Sequence, residues 1–419
     1  MGGDFFYFMK PRDYQIDISN RAADIIRKHG LVYLAMQVRT GKTATSLLTA
    51  ENLSQKLVLF VTKKKVIDGI IADHKALGLS FALTVTNYEQ LHNVTVSPDL
   101  IILDEAHCLG QYPKPANKVK ILKKLCVGKP IIYLSGTPTP ESYSQLFHQL
   151  HVSSFSPFKY YINFYKWAAD FVDIRLKYFK GLKVNDYSNA NQTKIKTMTD
   201  HLIIPFTQEQ AGFKQDVIEE IVKINMQPST YYLADKLKKD RIFNGNNGNV
   251  VLADTGAALM SKLHQVYSGT VIDKKEQSLV FDRTKAYWIK ENFKGKKIAI
   301  FYKYRAEEHM LYLTFGYDKF TIDPYEFAES TDKWFISQIS SGREGINLST
   351  AEALIMLNID FSAVSYWQAR ARMQSKDRDE PCRVVWLFSE GGIEERVYKM
   401  VKQKKDYTLS YFKQDFEIG

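Results

Sequence analysis

The sequence predicts an α/β protein of two parallel-sheet lobes in tandem with a helical insertion between them. Three observations lead there. Short apolar runs of strand length alternate with helical periodicity over the first 150 residues, and the same alternation returns after residue 203. The stretch between, 151–202, lacks that alternation and is aromatic-rich and basic. Continuous apolar runs mark strands buried on both faces, the situation of a parallel sheet covered by helices. A chain of 419 residues, 45% hydrophobic and 13% aromatic, has ample material for two such cores.

Taken in order, an apolar period over 13–30 reads as a helix, and 31–36, 56–61, 100–103 and 130–134 read as buried strands with helical patterns between them. These make the first lobe, residues 1–150. Phe158, Tyr160, Tyr161, Phe164, Tyr165, Trp167, Phe171, Tyr178 and Phe179 crowd the next segment, which turns polar through 184–189 and is read as the insertion, 151–202. Its aromatics fit two readings, a protrusion that touches a duplex or the small core of the insert itself. Strands are predicted again at 218–226, 297–301, 335–339, 354–357 and 384–388, interrupted by a Gly/Asn loop at 244–249. A charged helix over 392–406 ends the second lobe, 203–419. No short-period repeat is present, which argues against a solenoid.

Lys and Arg number 57 against 46 Asp and Glu, a formal net charge of +11. That excess suits a polyanionic partner, although a solvated basic surface would look the same. Cys108, Cys126 and Cys382 are too few and too scattered for a disulfide framework or a zinc cluster, so a reducing compartment is expected. No apolar stretch reaches about 18 residues, and no basic-then-apolar signal opens the chain. A soluble, cytoplasmic protein without membrane contact is expected.

The chemistry is carried by two strand ends. Thr40-Gly41-Lys42-Thr43 follows the run 31–36, and Asp104-Glu105-Ala106-His107 follows the run 100–103. Backbone N–H groups of a turn that opens a helix point at phosphate oxygens, a lysine ammonium bridges the outer phosphates, and a Thr hydroxyl ligates Mg²⁺. The interval between Lys42 and Asp104 leaves room for a helix, a strand and a crossover, as in a doubly wound sheet with its ligand at the carboxyl edge. Together the two motifs predict a site that hydrolyses a nucleoside triphosphate with Mg²⁺ as cofactor. Asp-Glu at a strand end can also be a mere helix cap; behind a Gly-Lys-Thr turn the catalytic reading takes precedence.

Seven short motifs stand in order along the chain: Pro11-Arg12-Asp13-Tyr14-Gln15; Arg39-Thr40-Gly41-Lys42-Thr43; Thr86-Asn87-Tyr88-Glu89; Asp104-Glu105-Ala106-His107; Ser135-Gly136-Thr137-Pro138; Ser341-Gly342-Arg343-Glu344-Gly345-Ile346-Asn347-Leu348; and Gln368-Ala369-Arg370-Ala371-Arg372. The series resembles that of superfamily-two helicases, specifically the Swi/Snf-like branch in a compact bacteriophage form, over about residues 11–400. The resemblance implies two RecA-like lobes that close around ATP. Lys42 would supply fixed positive charge, Thr43 would hold Mg²⁺ directly and Asp104 through water, and Glu105 would act as general base. It further implies nucleotide contacts at Arg12, Gln15, Arg39, Thr40, Gly41 and Gly345, with Tyr14 framing the base, and a catalytic part for Gln368 and Arg372. His107, Ser135 and Thr137 would couple the nucleotide to lobe movement. Thr62, Lys63, Lys64 and Tyr88 on the first lobe, and Lys303, Tyr304, Ser341 and Arg343 on the second, would touch one nucleic-acid backbone. Such contacts position without reading sequence. Lys63-Lys64-Lys65 would equally suit a plain surface cluster, and Gln15 a helix-surface amide.

Two departures from the family pattern stand out. Arg39 occupies a position where the family usually has glycine, and Ser375 stands three residues after Arg372 where a second arginine is usual. An arginine finger is worth about a thousandfold or more in turnover, so Arg372 is assigned that role, with Arg370, Lys376 or Arg378 as alternatives. The resulting expectation is a monomeric ATP-dependent translocase on double-stranded or branched DNA, working beside replication or recombination proteins in the cytoplasm, that of the host cell if the gene is a phage's. A branch-migrating, strand-separating helicase and a nucleic-acid clamp with weakened ATPase are the alternatives.

Overall fold

The computed structural model describes residues 9–179, 182–213, 217–245, 248–342, 348–374 and 380–403. The chain forms two compact units, Met1–Gly212 and Phe213–Gly419. The first holds strands β1 (Leu31–Met36), β2 (Leu57–Thr62), β3 (Ala82–Asn87), β4 (Leu100–Leu103), β5 (Ile131–Leu134), β6 (Arg175–Phe179), β7 (Leu182–Asp186) and β8 (Ile203–Phe206). Six of them make one parallel sheet in the order β3-β2-β4-β5-β1-β8.

Alternate residues of the central strands feed two cores. Val32, Leu34, Val58, Phe60 and Ile102 face Ile18, Ala22, Ile26, Leu47 and Ile70 of α1 (Asp13–His29), α2 (Lys42–Asn52) and α3 (Ile67–Ala76). Leu31, Tyr33, Leu59, Leu103 and Tyr133 face Val119, Leu122, Phe147 and Trp167 on the other side. In α1 the buried positions Gln15, Ile18, Ser19, Ala22, Ala23 and Ile26 recur at helical spacing; the helix stops at Gly30, which takes the left-handed conformation (φ 71°) and donates its N–H to the Ile26 carbonyl.

The aromatic segment belongs to this unit. Phe158, Phe164, Trp167 and Phe171 are buried and continuous with the first lobe's core, so for them the core reading of the insertion holds. Besides the helices Phe164–Phe171 and Gln192–Thr199, the insertion carries an antiparallel ribbon, β6 with β7. Its signature is the alternation Ile174, Arg175, Leu176, Lys177, a period of two rather than 3.6. Residues 203–206, expected to open the second lobe, pair instead with β1 as the edge strand β8. Pro205, lacking an N–H, is compatible with an edge and not with a central strand.

The second unit holds β9 (Val217–Ile224), β10 (Ile242–Asn244), β11 (Val250–Leu252), β12 (Thr270–Ile272), β13 (Ser278–Val280), β14 (Ile298–Tyr302), β15 (Phe320–Thr321), β16 (Trp334–Gln338), β17 (Ala353–Met356) and β18 (Cys382–Ser389). Its parallel sheet runs β15-β16-β14-β17-β18-β9, and two small ribbons, β10-β11 and β12-β13, stand beside it. Each unit is therefore a six-stranded parallel α/β lobe, the RecA-like tandem arrangement anticipated. The Gly/Asn loop lies between β10 and β11, and the last helix among the described residues is Glu394–Lys402. At the carboxyl edge of this sheet Lys285 and Glu394 form an ion pair at 3.0 Å with both side chains fully buried.

Candidate functional site

In the first unit the loops that leave β1, β4 and β5 meet at the carboxyl edge of the sheet, where a doubly wound fold places its ligand. The loop after β1 is shaped by two left-handed residues, Arg39 (φ 64°) and Gly41 (φ 83°). Thr40 donates its hydroxyl to the Gln37 carbonyl at 2.7 Å and Thr45 donates to the Gly41 carbonyl at 3.0 Å, which closes the turn against the first helical turn of α2. No side chain caps the start of α2, leaving its N-terminal N–H groups for another acceptor. The Lys42 ammonium lies 3.4 Å from the Gln37 carbonyl, on the same loop.

Residues of α1 brace this loop. Gln15 is buried, accepts from the Arg12 N–H at 2.9 Å and donates to the Gly41 carbonyl at 3.3 Å. A Cβ at Gly41 would sit 2.0 Å from the Gln15 amide nitrogen, so glycine is required there both for its φ and for its neighbour. Arg12 donates to the Tyr14 hydroxyl, which donates to the Thr40 carbonyl at 3.1 Å. Sequence reasoning missed the other wall: Phe206 of β8 stacks on Tyr14 with ring centres 4.9 Å apart, and Gln208 donates to the Val38 carbonyl and to the Gln37 side chain. Nothing local marks Phe206 or Gln208; they reach the loop only because β8 pairs with β1.

The acidic motif follows β4. Thr62, at the end of neighbouring β2, donates its hydroxyl to Asp104 Oδ2 at 2.8 Å, and the Glu105 N–H donates to Oδ1 at 3.0 Å. Burial and the adjacent Glu105 charge push the Asp104 carboxyl up to about 6, against the opposing pull of the Thr62 hydrogen bond and the Lys42 charge. Glu105 adopts the left-handed conformation (φ 48°) and sets its carboxylate 3.2 Å from His107 Nδ1. Burial raises its pKa, but the His107 hydrogen bond and the charges of His107, Lys42 and Lys63 outweigh it and hold Glu105 at about 2. His107 Nδ1 also lies 3.0 Å from the Ser135 hydroxyl, which accepts from the Thr137 N–H at 3.1 Å. Gly136 packs against the loop after β1, with its Cβ position 3.5 Å from the Met36 carbonyl. Lys42, Asp104, Glu105, His107, Ser135 and Thr137 are thus brought to one place.

The donor set bears on a metal. Among the described residues no group of three or more His, Cys, Asp or Glu could hold an ion alone. Mg²⁺ usually takes one or two carboxylates and completes its shell with water and phosphates. Asp104, its ionised form disfavoured by burial, with the Thr43 hydroxyl at the start of α2, fits that pattern.

The nucleic-acid candidates are placed less uniformly. Thr62 is only 1% exposed and spends its hydroxyl on Asp104; Tyr88 is buried, donates to the Asp104 carbonyl at 2.6 Å and lies under Lys118. Both act as braces of the acidic motif. Lys63 is half-buried and its charge reaches Glu105, whereas Lys64 and Lys65 are exposed. In the second unit Lys303 is tied to Asp360 at 2.6 Å and lies 4.0 Å from the centre of the Phe361 ring, and the Tyr304 hydroxyl faces His264 at 3.0 Å inside the lobe. Ser341 is half-buried on the short helix Ile339–Gly342. Gln368 and Arg372 are buried, Arg372 at 7% exposed, and Arg370 is held by Glu219 at 2.7 Å. Arg343, Gly345, Ser375, Lys376 and Arg378 lie outside the described residues.

No protein-family model matches the chain. It is similar to the CHD3-type chromatin-remodeling factor PICKLE of Arabidopsis thaliana, 20% identical over 388 residues that cover 82% of this chain and 26% of that protein. It is also similar to the CHD3-type chromatin-remodeling factor CHR7 of the same plant, 21% identical over 366 residues, 77% of this chain and 28% of that one. The chain spans about a quarter of the length of these curated relatives. Among solved structures it matches the Sulfolobus solfataricus SWI2/SNF2 ATPase core domain at 17% identity and a TM-score of 0.38, covering 96% of this chain and 92% of that one. These plant and archaeal proteins say nothing of a bacteriophage-type branch. No helix among the described residues is long and apolar enough to cross a membrane.

Proposed function

We propose that the chain is an ATP-dependent motor that hydrolyses ATP and moves on duplex DNA through non-specific backbone contacts. The observation that carries it is the convergence of Lys42, Asp104 and Glu105 beside the uncapped start of α2, with Lys42 close enough to lower the pKa of both carboxyls. Mg²⁺ bound with the nucleotide supplies neutralisation of charge on the transferring phosphoryl group. Thr43 and Asp104 would hold it, and Lys42 would meet the outer phosphates. Arg12, Tyr14 and Gln15 shape the wall on which the base would lie.

Glu105 is ionised at neutral pH and orients the attacking water. At about 2 it is a poor proton acceptor. Its contact with His107 links it through the Ser135 hydroxyl to Thr137, the path along which these three residues would couple the nucleotide to lobe movement. The basic balance of the chain favours a phosphate backbone as partner, with exposed Lys64 and Lys65 among the contacts. The test is phosphate release by the wild type and Glu105→Gln with single-stranded DNA, duplex DNA, a branched junction and RNA. Duplex-stimulated release that Glu105→Gln abolishes is expected. Best stimulation by RNA would overturn the DNA assignment, and no stimulation by any of the four would overturn the motor itself.

A further inference from the structure

Positive charge is unevenly spread over the first unit. Residues 106–140 carry Lys114, Lys118, Lys120, Lys123, Lys124 and Lys129 and no Asp or Glu. Four of the six belong to one helix, Asn117–Leu125, and Lys120 and Lys124 stand one turn apart on its exposed side. The segment around residue 160 is held against the end of this helix. Lys123 donates to His151 Nδ1, His151 is hydrogen-bonded to the Tyr161 backbone, and the Gly128 N–H donates to the Ser154 hydroxyl at 3.0 Å. Exposed Lys159 joins the lysines from that side, and among the described residues no carboxylate pairs with Lys120, Lys124 or Lys159. Large apolar side chains stand in water beside them: Val127 is exposed, Tyr160 at 85% and Ile162 at 86%. Phe158 and Phe164 on either side are buried, so the core takes those two and leaves Tyr160 and Ile162 outside it.

The second unit carries a surface of opposite sign. Residues 317–332 hold Asp318, Asp323, Glu326, Glu329 and Asp332 against Lys319 alone. All five acids are exposed, and Lys319 is turned to the Asp332 carbonyl and the Trp334 ring. Lys333 lies 3.5 Å from Glu326, while among the described residues no cation pairs with Asp318, Glu329 or Asp332. Tyr317, Ile322 and Tyr325 are exposed among these acids, Tyr325 at 83%. Tyr325 and Glu329 are four residues apart on the short helix Pro324–Glu329 and share its outer side. The patch surrounds β15, the edge strand of this sheet, whose two residues offer little for another strand to pair with. Side chains, not strand addition, are what this edge presents.

We infer that these two surfaces bind each other between copies of this chain, the lysine-rich face of one molecule docking on the acidic face of the next. Charge complementarity selects the partner: exposed lysines meet exposed carboxylates, and each side brings tyrosine and isoleucine to a contact centre from which water can be excluded. A duplex would use the lysines and leave Val127 and Ile162 in water. The two faces differ, so the contact is heterologous, and every docked molecule still offers one open face to a further copy. Self-docking of this kind needs neither nucleotide nor DNA and goes beyond the motor reading. Molecules bound to one duplex would meet at raised local concentration and assemble there first.

The experiment is sedimentation velocity of the full chain, without nucleotide or nucleic acid, from about 1 to about 100 μM. The wild type is expected to grow beyond a dimer as its concentration rises in about 50 mM salt, and to fall back toward single chains in about 0.5 M salt, where the screening length shrinks to about 4 Å. Two sets of charge reversals at exposed positions, Lys120→Glu/Lys124→Glu/Lys159→Glu and Asp318→Lys/Glu329→Lys/Asp332→Lys, should each raise the apparent dissociation constant about tenfold or more. An equal mixture of the two variants should recover the association that neither shows alone, because the reversed face of each then matches the reversed face of the other. A folding defect does not recover on mixing. A wild type that sediments as one chain throughout, or a mixture that fails to recover, overturns the proposal. The first outcome, joined to weaker binding of a blunt duplex by the lysine variant, would give the lysine-rich face to nucleic acid. Failure of the motor reading shows separately, as phosphate release that no nucleic acid stimulates.

Discussion

Replacing Thr62 with valine preserves shape at a buried, β-branched position and removes one hydrogen bond, the 2.8 Å donation to Asp104 Oδ2. A hydrogen bond to a charged group contributes about 1.5–3 kcal/mol, and one pKa step corresponds to about 1.4 kcal/mol, so the acid limb of activity should move from about 6 to about pH 7–8. The free enzyme's titration appears in kcat/KM, so the assay is kcat/KM for ATP from pH 5 to 9 by phosphate release. At pH 7 the variant should lose about two- to fifteenfold, and raising the pH to 9 should restore the wild-type value. The stability signs differ between the two acids. Asp104 binds its proton more tightly folded than unfolded, so its ionisation costs stability as pH rises through about 4–6, and valine extends that cost to higher pH. Glu105, held at about 2, contributes stability that is complete above its ordinary pKa and is lost as pH falls from about 4.5 to 2. A loss of activity that is the same at every pH, or an acid limb that stays put, would refute the assignment of Asp104 as the titrating group.

Other perturbations test separate parts of the molecule. Gly41→Ala forces a side chain into a left-handed residue and onto Gln15; it should cost about 1–2 kcal/mol in urea denaturation and weaken ATP binding in the same protein. Lys285→Met leaves Glu394 buried without its partner and should destabilise the second unit by about 3–5 kcal/mol, with Lys285→Met/Glu394→Gln recovering most of it in chemical denaturation. If about six phosphates are neutralised, log K for duplex DNA should fall with log salt at a slope of about −5, and Lys64→Ala/Lys65→Ala should flatten that slope by about 2 in a salt titration of binding.

The central strands of both sheets and the two catalytic strand ends were legible in the sequence because each is local. β1, β2, β4 and β5 are short Val/Ile/Leu-rich runs buried on both faces, and Gly41-Lys42-Thr43 and Asp104-Glu105 sit where such runs end. Of the four edge strands only β9, a long apolar-rich run, was legible. β3 is only half-buried and carries Thr84 and Thr86, β8 contains Pro205, and β15 has two residues, so none presents an apolar run. The roles of Thr62 and Tyr88 were also hidden, because their partner Asp104 lies on a different strand or loop and a hydroxyl carries no sign of which way it points. Lys303, expected at a nucleic-acid backbone, is tied to Asp360, 57 residues further along the chain, a pairing no local pattern marks.

β1 has β5 on one side and β8 on the other, so the chain leaves this sheet for its 151–202 excursion and re-enters it two strands away. The aromatic part of the excursion is spent on the lobe's own core, whereas the exposed stretch between Asp173 and Asn185 is not. That geometry makes the exposed stretch alone an exchangeable cassette: evolution, or an engineer, can lengthen it or graft another in its place while the nucleotide pocket keeps its frame, provided Phe206 still returns to lie on Tyr14.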